Sequence, residues 1–185
     1  MLARFQALEL RGARRDEAGN VLAEWAAKGA EGPPVIVAAH LDTVFPAETD
    51  VQPKRHGKRI HAPGITDNCR GLAGMLAVAR VLAGAHVRAR HPVLFVGTVG
   101  EEGIGDLRGV KHLFRRNGGL RRAAAFIALD GSGMRRIVHR AIGSRRLRVE
   151  AQGPGGHSWS DRGAPNPVAA LAAAAAESGR TPLPH

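Results

Sequence analysis

The feature that most limits what this chain can fold into is a pair of near-continuous apolar runs. They are "PPVIVAAH" at residues 33–40 and "HPVLFVGTVG" at residues 91–100, with a helical pattern between them. Strands of a parallel sheet are covered by helices on both faces, so they read as unbroken Val, Ile, Leu and Ala rather than as an alternation. The intervening "NCRGLAGMLAVARVLAG" (68–84) puts Leu72, Met75, Leu76, Ala79 and Leu82 at three- and four-residue steps, the apolar stripe of one helix. A third run, "AAAFIALD" (123–130), reads as another buried strand. A second helix is expected over residues 105–118, stopping at Gly118–Gly119. The opening residues, with "DEAGN" (16–20) as a turn, read as an exposed hairpin of short strands. The fold class is therefore α/β, a mostly parallel sheet with helices on both faces.

After about residue 138 the character changes. "RRLRVEAQG" (145–153) alternates polar and apolar residues, as a strand with one wet face does. A Gly/Pro-rich stretch, "GPGGHSWSDRGAPNP" (153–167), leads into an alanine-rich helix at 168–178. A strand, a loop and a helix do not enclose a core. The expected division is a first domain over residues 1–138 and the beginning of a second, smaller α+β domain over 139–185.

The acidic and imidazole residues fall at particular places. His40 and Asp42 end the first apolar run, Glu101 and Glu102 follow the second, and Asp130 ends the third. Asp67 stands just before the apolar helix. In an open parallel sheet, ligand sites form beyond the carboxyl ends of the strands, so these groups are expected to converge on one rim. Carboxylates gathered there repel one another and are costly to desolvate unless a cation neutralises them. One imidazole with several carboxylates suits zinc, with cobalt or manganese as alternatives. A bridging carboxylate would allow two ions. In this reading His40 is a ligand, and Asp42 accepts the far N–H of its ring and orients it. Glu101 and Glu102 are consecutive, so one ligates while the other takes a proton from water and passes it to a leaving amine.

Composition excludes less than it suggests. The formal charge is +11, but the basic residues come in scattered arginine pairs, and only Lys28, Lys54, Lys58 and Lys111 are lysines. Aromatics are few and do not alternate with those pairs, so a stacking surface for nucleic acid is missing and no nucleic-acid partner is expected. No apolar run approaches the ~18–20 residues of a membrane span, and no signal peptide is recognisable. A cytoplasmic location is the default. The single cysteine, Cys69, excludes an internal disulfide and reads as a buried small residue. His56 and His61 read as solvated, and Phe45 and Trp159 as packing residues near the cleft mouth.

Five motifs in order, "HLDTVFP", "APGITDNCRGLAGML", "GTVGEEGIGDLRG", "ALDGSG" and "GPGGHS...GAPNP", resemble the M20 family of metallopeptidases and amidohydrolases over roughly residues 10–180. The tripeptide aminopeptidase, or peptidase T-like, branch is the most similar. The resemblance implies a zinc-peptidase-like sheet and a lid domain through which a homodimer forms. It makes His40 the ligand of one zinc, oriented by Asp42, and Asp67 the carboxylate bridging both metals, with a cis Asp67–Asn68 peptide. Glu101 becomes the general base, Glu102 the ligand of one zinc and Asp130 the ligand of the other. His157 is implied to polarise the substrate carbonyl in the partner subunit's site. The expected substrate is a small peptide or an N-acyl amino acid. The family's N-terminal helix, second half of the lid and final histidine ligand are not matched; His185 does not substitute. The chain thus resembles a truncated member. Two readings follow: a dinuclear-metal hydrolase, or a catalytically incomplete remnant that folds or binds metal weakly.

Overall fold

The computed structural model describes residues 1–85, 87–115, 120–131, 133, 135–141, 143 and 148–180. The chain divides into two compact units, Met1–Arg135 and Arg136–His185.

The first unit contains helix α1 (Leu2–Ala7), strands β1 (Arg11–Arg15), β2 (Val21–Trp25) and β3 (Val35–His40), and a small hairpin of β4 (Lys54–His56) and β5 (Arg59–His61). Helix α2 (Arg70–Gly84), strand β6 (Val93–Thr98), helix α3 (Arg108–Leu113) and strand β7 (Ala125–Ala128) complete it. The main sheet has the order β1-β2-β6-β3-β7. Strand β3 lies parallel to β6 on one side and to β7 on the other, with Val35 opposite Val93 and His40 opposite Thr98.

Alternation along these strands sorts the core into two layers. Val37, Ala39 and Phe95 pack with Phe5 of α1 and with Met75 and Ala79 of α2. Ile36, Ala38, Leu94 and Val96 pack on the other face with Leu113 of α3. Phe5, Ile36, Met75, Phe95 and Val96 are completely buried, and each such side chain contributes roughly 1.5–3 kcal/mol of transfer free energy. Since α2 and α3 lie on opposite faces, the connections leaving β3 and β6 diverge between these neighbours. In open parallel sheets a divergence of this kind marks where ligand sites form.

Several elements differ from the sequence expectation. The opening hairpin is not merely exposed: β2 pairs antiparallel with β6, and Val21, Leu22 and Ala23 are buried. Its apolar "VLA" extends the main sheet, leaving β1 as the wet edge, and the chain begins with the short helix α1. Strand β7 forms where expected but is exposed, with Phe126 at 39% and Ile127 at 47%, because it is the last strand on its side. Helix α3 is shorter than residues 105–118. Asp106 and Leu107 both take left-handed φ, 51° and 55°, so the helix cannot begin before Arg108. The expected stop at Gly118–Gly119 lies outside the described residues. Cys69 is exposed rather than buried, because it stands at the N-terminal end of α2 on its solvent side. The β4–β5 hairpin was hidden because its sequence, "KRHGKRIH", carries almost no apolar alternation.

In the second unit, α4 (Pro167–Ser178) begins with Asn166, whose Oδ1 accepts from the Val168 and Ala169 backbone N–H groups at 2.9 and 3.3 Å, and with Pro167 in the first turn. Residues 148–153 form no strand, and the rest of that expected strand, 145–147, lies outside the described residues. Trp159 is 74% exposed, with the Arg162 guanidinium 4.9 Å above its ring, so it is not a packing residue. Phe45, in the first unit, is 41% exposed. No helix among the described residues is long and apolar enough to cross a membrane.

One buried polar side chain joins the elements that carry the site. Asn20 is fully buried and donates to Asp16 Oδ2 at 2.8 Å and to the Gly109 carbonyl at 3.0 Å. It accepts from the Val99 N–H at 3.1 Å. The β1–β2 turn, the loop after β6 and helix α3 are thereby tied together. Asn20→Ala strands these partners in the interior and should lower stability by ~1–3 kcal/mol. Urea unfolding measures this, and an unchanged midpoint would remove Asn20 from the framework.

Candidate metal centre

The rim of the parallel strands collects the residues singled out from the sequence. His40 is the last residue of β3 and is 3% exposed. Its Nδ1 donates to the backbone carbonyl of Asp42 at 2.9 Å. Since a carbonyl only accepts, this bond fixes the proton on Nδ1 and turns Nε2 toward the acids. Nε2 lies 2.8 Å from Asp67 Oδ1 and 3.8 Å from Asp130 Oδ1. Burial alone would lower the His40 pKa. The Asp42 carbonyl, the Asp67 carboxylate and the charges of Asp130 and Glu101 outweigh it, and the net shift is upward.

Asp42 has a different task from the one expected. Its carboxylate is 3.9 Å from His40 Nδ1, too far for the orienting hydrogen bond, which its own backbone carbonyl supplies instead. The carboxylate accepts the backbone N–H of Glu101 at 3.2 Å and of Glu102 at 3.0 Å. Burial would raise the Asp42 pKa, but these two donors dominate and hold it below the usual carboxylate value. Asp42 therefore sets the backbone from which both glutamates project, and it links the ends of β3 and β6.

Asp67 and Asn68 precede α2 and are joined by a cis peptide bond, as the resemblance implied. Asn68 is buried; its Nδ2 donates to the Leu129 carbonyl at 2.9 Å and its Oδ1 accepts from the Gly71 N–H at 3.1 Å. It thus ties the Asp67 segment to the residue before Asp130. Arg70 adds a hydrogen bond to the Gly131 carbonyl. Sequence reasoning passed over Asn68, although its position beside Asp67 was the available signal.

His40, Asp67 and Glu102 each offer a donor atom, and these atoms lie within 4.8 Å of one another. Asp130 borders the group through its 3.8 Å approach to His40 Nε2. Glu101 is half-buried beside them. Burial raises its pKa, the nearby His40 opposes, and Glu102, Asp130 and Asp42 push it up again, leaving it above the ordinary glutamate value. His157 belongs to the second unit, where it makes local bonds: its N–H donates to Asp161 Oδ2 at 2.7 Å, and its Nδ1 accepts from the Trp159 N–H at 3.3 Å.

The donor set suits a divalent cation. An imidazole with one nitrogen already engaged, two carboxylates within reach and a third alongside are the partners zinc takes, with cobalt and manganese as neighbours in preference.

Comparison with known proteins places the chain among peptidases. The model of peptidase family M28 matches residues 20–155. Aminopeptidase PepT from Bacillus cereus ATCC 10987 has a similar solved structure, with 26% identity and a TM-score of 0.56 over 71% of this chain and 36% of that chain. A tripeptidase from Staphylococcus aureus subsp. aureus mu50 gives 27% identity and a TM-score of 0.53, over 71% of this chain and 36% of that one. This chain thus spans little more than a third of either relative. No curated protein matches it. The motifs resemble M20, whereas the matching family model is M28.

Proposed function

From the premise that this chain belongs to peptidase family M28, we propose that it carries the metal-binding rim of a hydrolase that cleaves peptide or amide bonds in small peptides. The observation that carries this reading is the meeting of His40, Asp67 and Glu102 donor atoms within 4.8 Å at the carboxyl end of the sheet. A tripeptide aminopeptidase of the M20 kind is the finer reading, supported by the motifs and by the likeness to PepT and to the tripeptidase.

His40, Asp67 and Glu102 would hold one zinc ion, and Asp130, with Asp67 shared, a second. When bound, such cations polarise the scissile carbonyl and lower the pKa of water. Glu101 accepts the proton of the attacking water and returns it to the leaving amine; its raised pKa brings it nearer the working pH of a general base. Asp42 keeps Glu101 and Glu102 in register through their N–H groups. For His157 we propose the role implied by the resemblance, polarisation of the substrate carbonyl from a second copy, with a homodimer formed through the second unit.

Asp42→Asn places an amide donor against two backbone donors and should weaken zinc binding by ~10–100-fold, as loss of an orienting group around a metal ligand does. Competition with a chromogenic chelator measures it, and an unaltered affinity would leave Asp42 without this role. The function itself is tested by metal content and tripeptide hydrolysis on the same preparation. Two tightly held ions with turnover support the hydrolase. Fewer than two ions without turnover support the incomplete remnant.

A further inference from the structure

The main sheet ends differently on its two sides. On one side β1 carries Arg11, Arg14 and Arg15, all exposed, and its register shifts between Arg11 and Arg14. Charges and a bulge are the usual guards of a free strand edge. On the other side β7 reads Ala125-Phe126-Ile127-Ala128, with no charge, no proline and an unshifted register. Its pairing with β3 is prolonged by two bonds of 2.8 Å, from the Ala124 N–H to the Pro34 carbonyl and from the Leu129 N–H to the Ala38 carbonyl. Among the described residues no strand pairs with its outer side.

The helical layers are open at the same edge. Ile127 is paired with Val37, which packs with Met75 and Ala79 of α2, so Ile127 shares the α2 face. A Cβ on Gly74 would meet Leu129 Cδ1 at 4.0 Å, so this flank of α2 looks toward β7. Val78 and Val81 continue the flank along the helix and are 44% and 66% exposed. On the opposite face Phe126 is 39% exposed, its ring edge to face with Phe114 at 5.6 Å. An open backbone edge with apolar side chains on both faces is a template for another strand.

We propose that this edge binds a second copy of the chain, β7 pairing antiparallel with its own equivalent so that two sheets become one. The sequence of the edge is self-complementary for such a contact. A two-fold axis through Ile127 sets Ile127 beside its copy and Ala125 beside Leu129 on the α2 face, and Phe126 beside Ala128 on the other. Large residues then meet small ones, and the one self-pair is β-branched, which suits a sheet. The same axis draws the Val78–Val81 flanks of the two α2 helices toward each other. The joined sheet is left with only its arginine-guarded β1 edges. This surface lies outside the second unit, and the proposal stands independently of the hydrolase reading.

Analytical ultracentrifugation of the full chain tests it, at roughly 100 μM, where an association of micromolar Kd is largely complete, and at about 0.15 M salt to screen the net positive charge. Ile127→Lys should halve the sedimenting mass, because the substituted ammonium meets its own copy across the axis. Val81→Lys, at an exposed helical position that tolerates lysine, should halve it too, with a far-ultraviolet circular dichroism spectrum like the parent's. A cross-link gives a readout that needs no loss of association. With Cys69→Ser removing the one natural thiol, Ile127→Cys should yield a covalent dimer on oxidation with diamide, since directly opposed residues in antiparallel strands lie within disulfide reach. A parent that sediments as a monomer, a mass unchanged in both lysine variants, or a thiol that does not cross-link overturns the proposal.

Discussion

Glu101→Gln should leave zinc binding unchanged and lower kcat for tripeptide hydrolysis by ~10²–10⁴-fold, the usual contribution of a positioned acid–base group. Gln matches Glu in shape and length but cannot accept a proton. The backbone is unaffected, because the Glu101 N–H remains bonded to Asp42. The carboxyl sits where burial and the charges of Glu102, Asp130 and Asp42 raise its pKa against the pull of His40. On the proposed reading, such a group transfers a proton rather than ligating. Rapid assays at saturating substrate give kcat, and chelator competition gives zinc affinity. An unchanged kcat would remove Glu101 from the reaction, and lost zinc would make it a ligand. Glu102→Gln is the mirror case: its donor belongs to the three-residue cluster, so zinc affinity falls first.

The second large effect is structural and acts on the site from beneath. A Cβ on Gly71 would overlap both Asn68 Oδ1 and the Leu129 carbonyl. Asn68 Oδ1 accepts the Gly71 N–H, and Asn68 Nδ2 donates to the Leu129 carbonyl. A methyl group there must displace Asn68, and with it the positions of Asp67 and Asp130 on either side. Overpacking of this kind costs ~1–3 kcal/mol or more, so Gly71→Ala should lower the urea midpoint and weaken zinc binding together. Gly74 provides the contrast. One turn later on α2, its added Cβ would meet only Leu129 Cδ1 at 4.0 Å. Gly74→Ala should stabilise by ~0.5–1 kcal/mol through helix propensity and leave zinc binding alone. If Gly71→Ala behaves like Gly74→Ala, the packing account of this corner is wrong.

The parallel centre of the sheet was legible because β3 and β6 are covered on both faces and therefore spell out unbroken apolar runs. Strand β7 carries the same signal, yet its neighbour lies on one side only and its side chains stay exposed. Sequence reports the apolar character of a strand, not how many partners it has. The hairpin at β4–β5 was missed for the opposite reason: its pairing rests on a glycine turn and backbone bonds, with no apolar pattern to announce it. At the site, the convergence of His40 and Glu102 followed from strand ends, and that of Asp67 from its place just before helix α2. The role of Asp42 did not, because the choice between its carbonyl and its carboxylate as partner of His40 is made by loop geometry after β3. Asn20 and Asn68 were equally silent. A buried asparagine is recognised by what it bonds to, and those partners, Gly109 and Leu129, are far away in the chain.

The central claim is that side chains from two separate strand ends and one helix approach, His40, Glu102 and Asp67, share a divalent cation. Zinc titration of this chain by calorimetry, beside His40→Ala and Glu102→Gln, tests it most directly. The account requires saturable binding in the parent that weakens at least ~10-fold in each variant, since His40→Ala removes a donor from the cluster and Glu102→Gln replaces an anionic donor with a neutral amide. Equal, weak zinc uptake by all three proteins would contradict it.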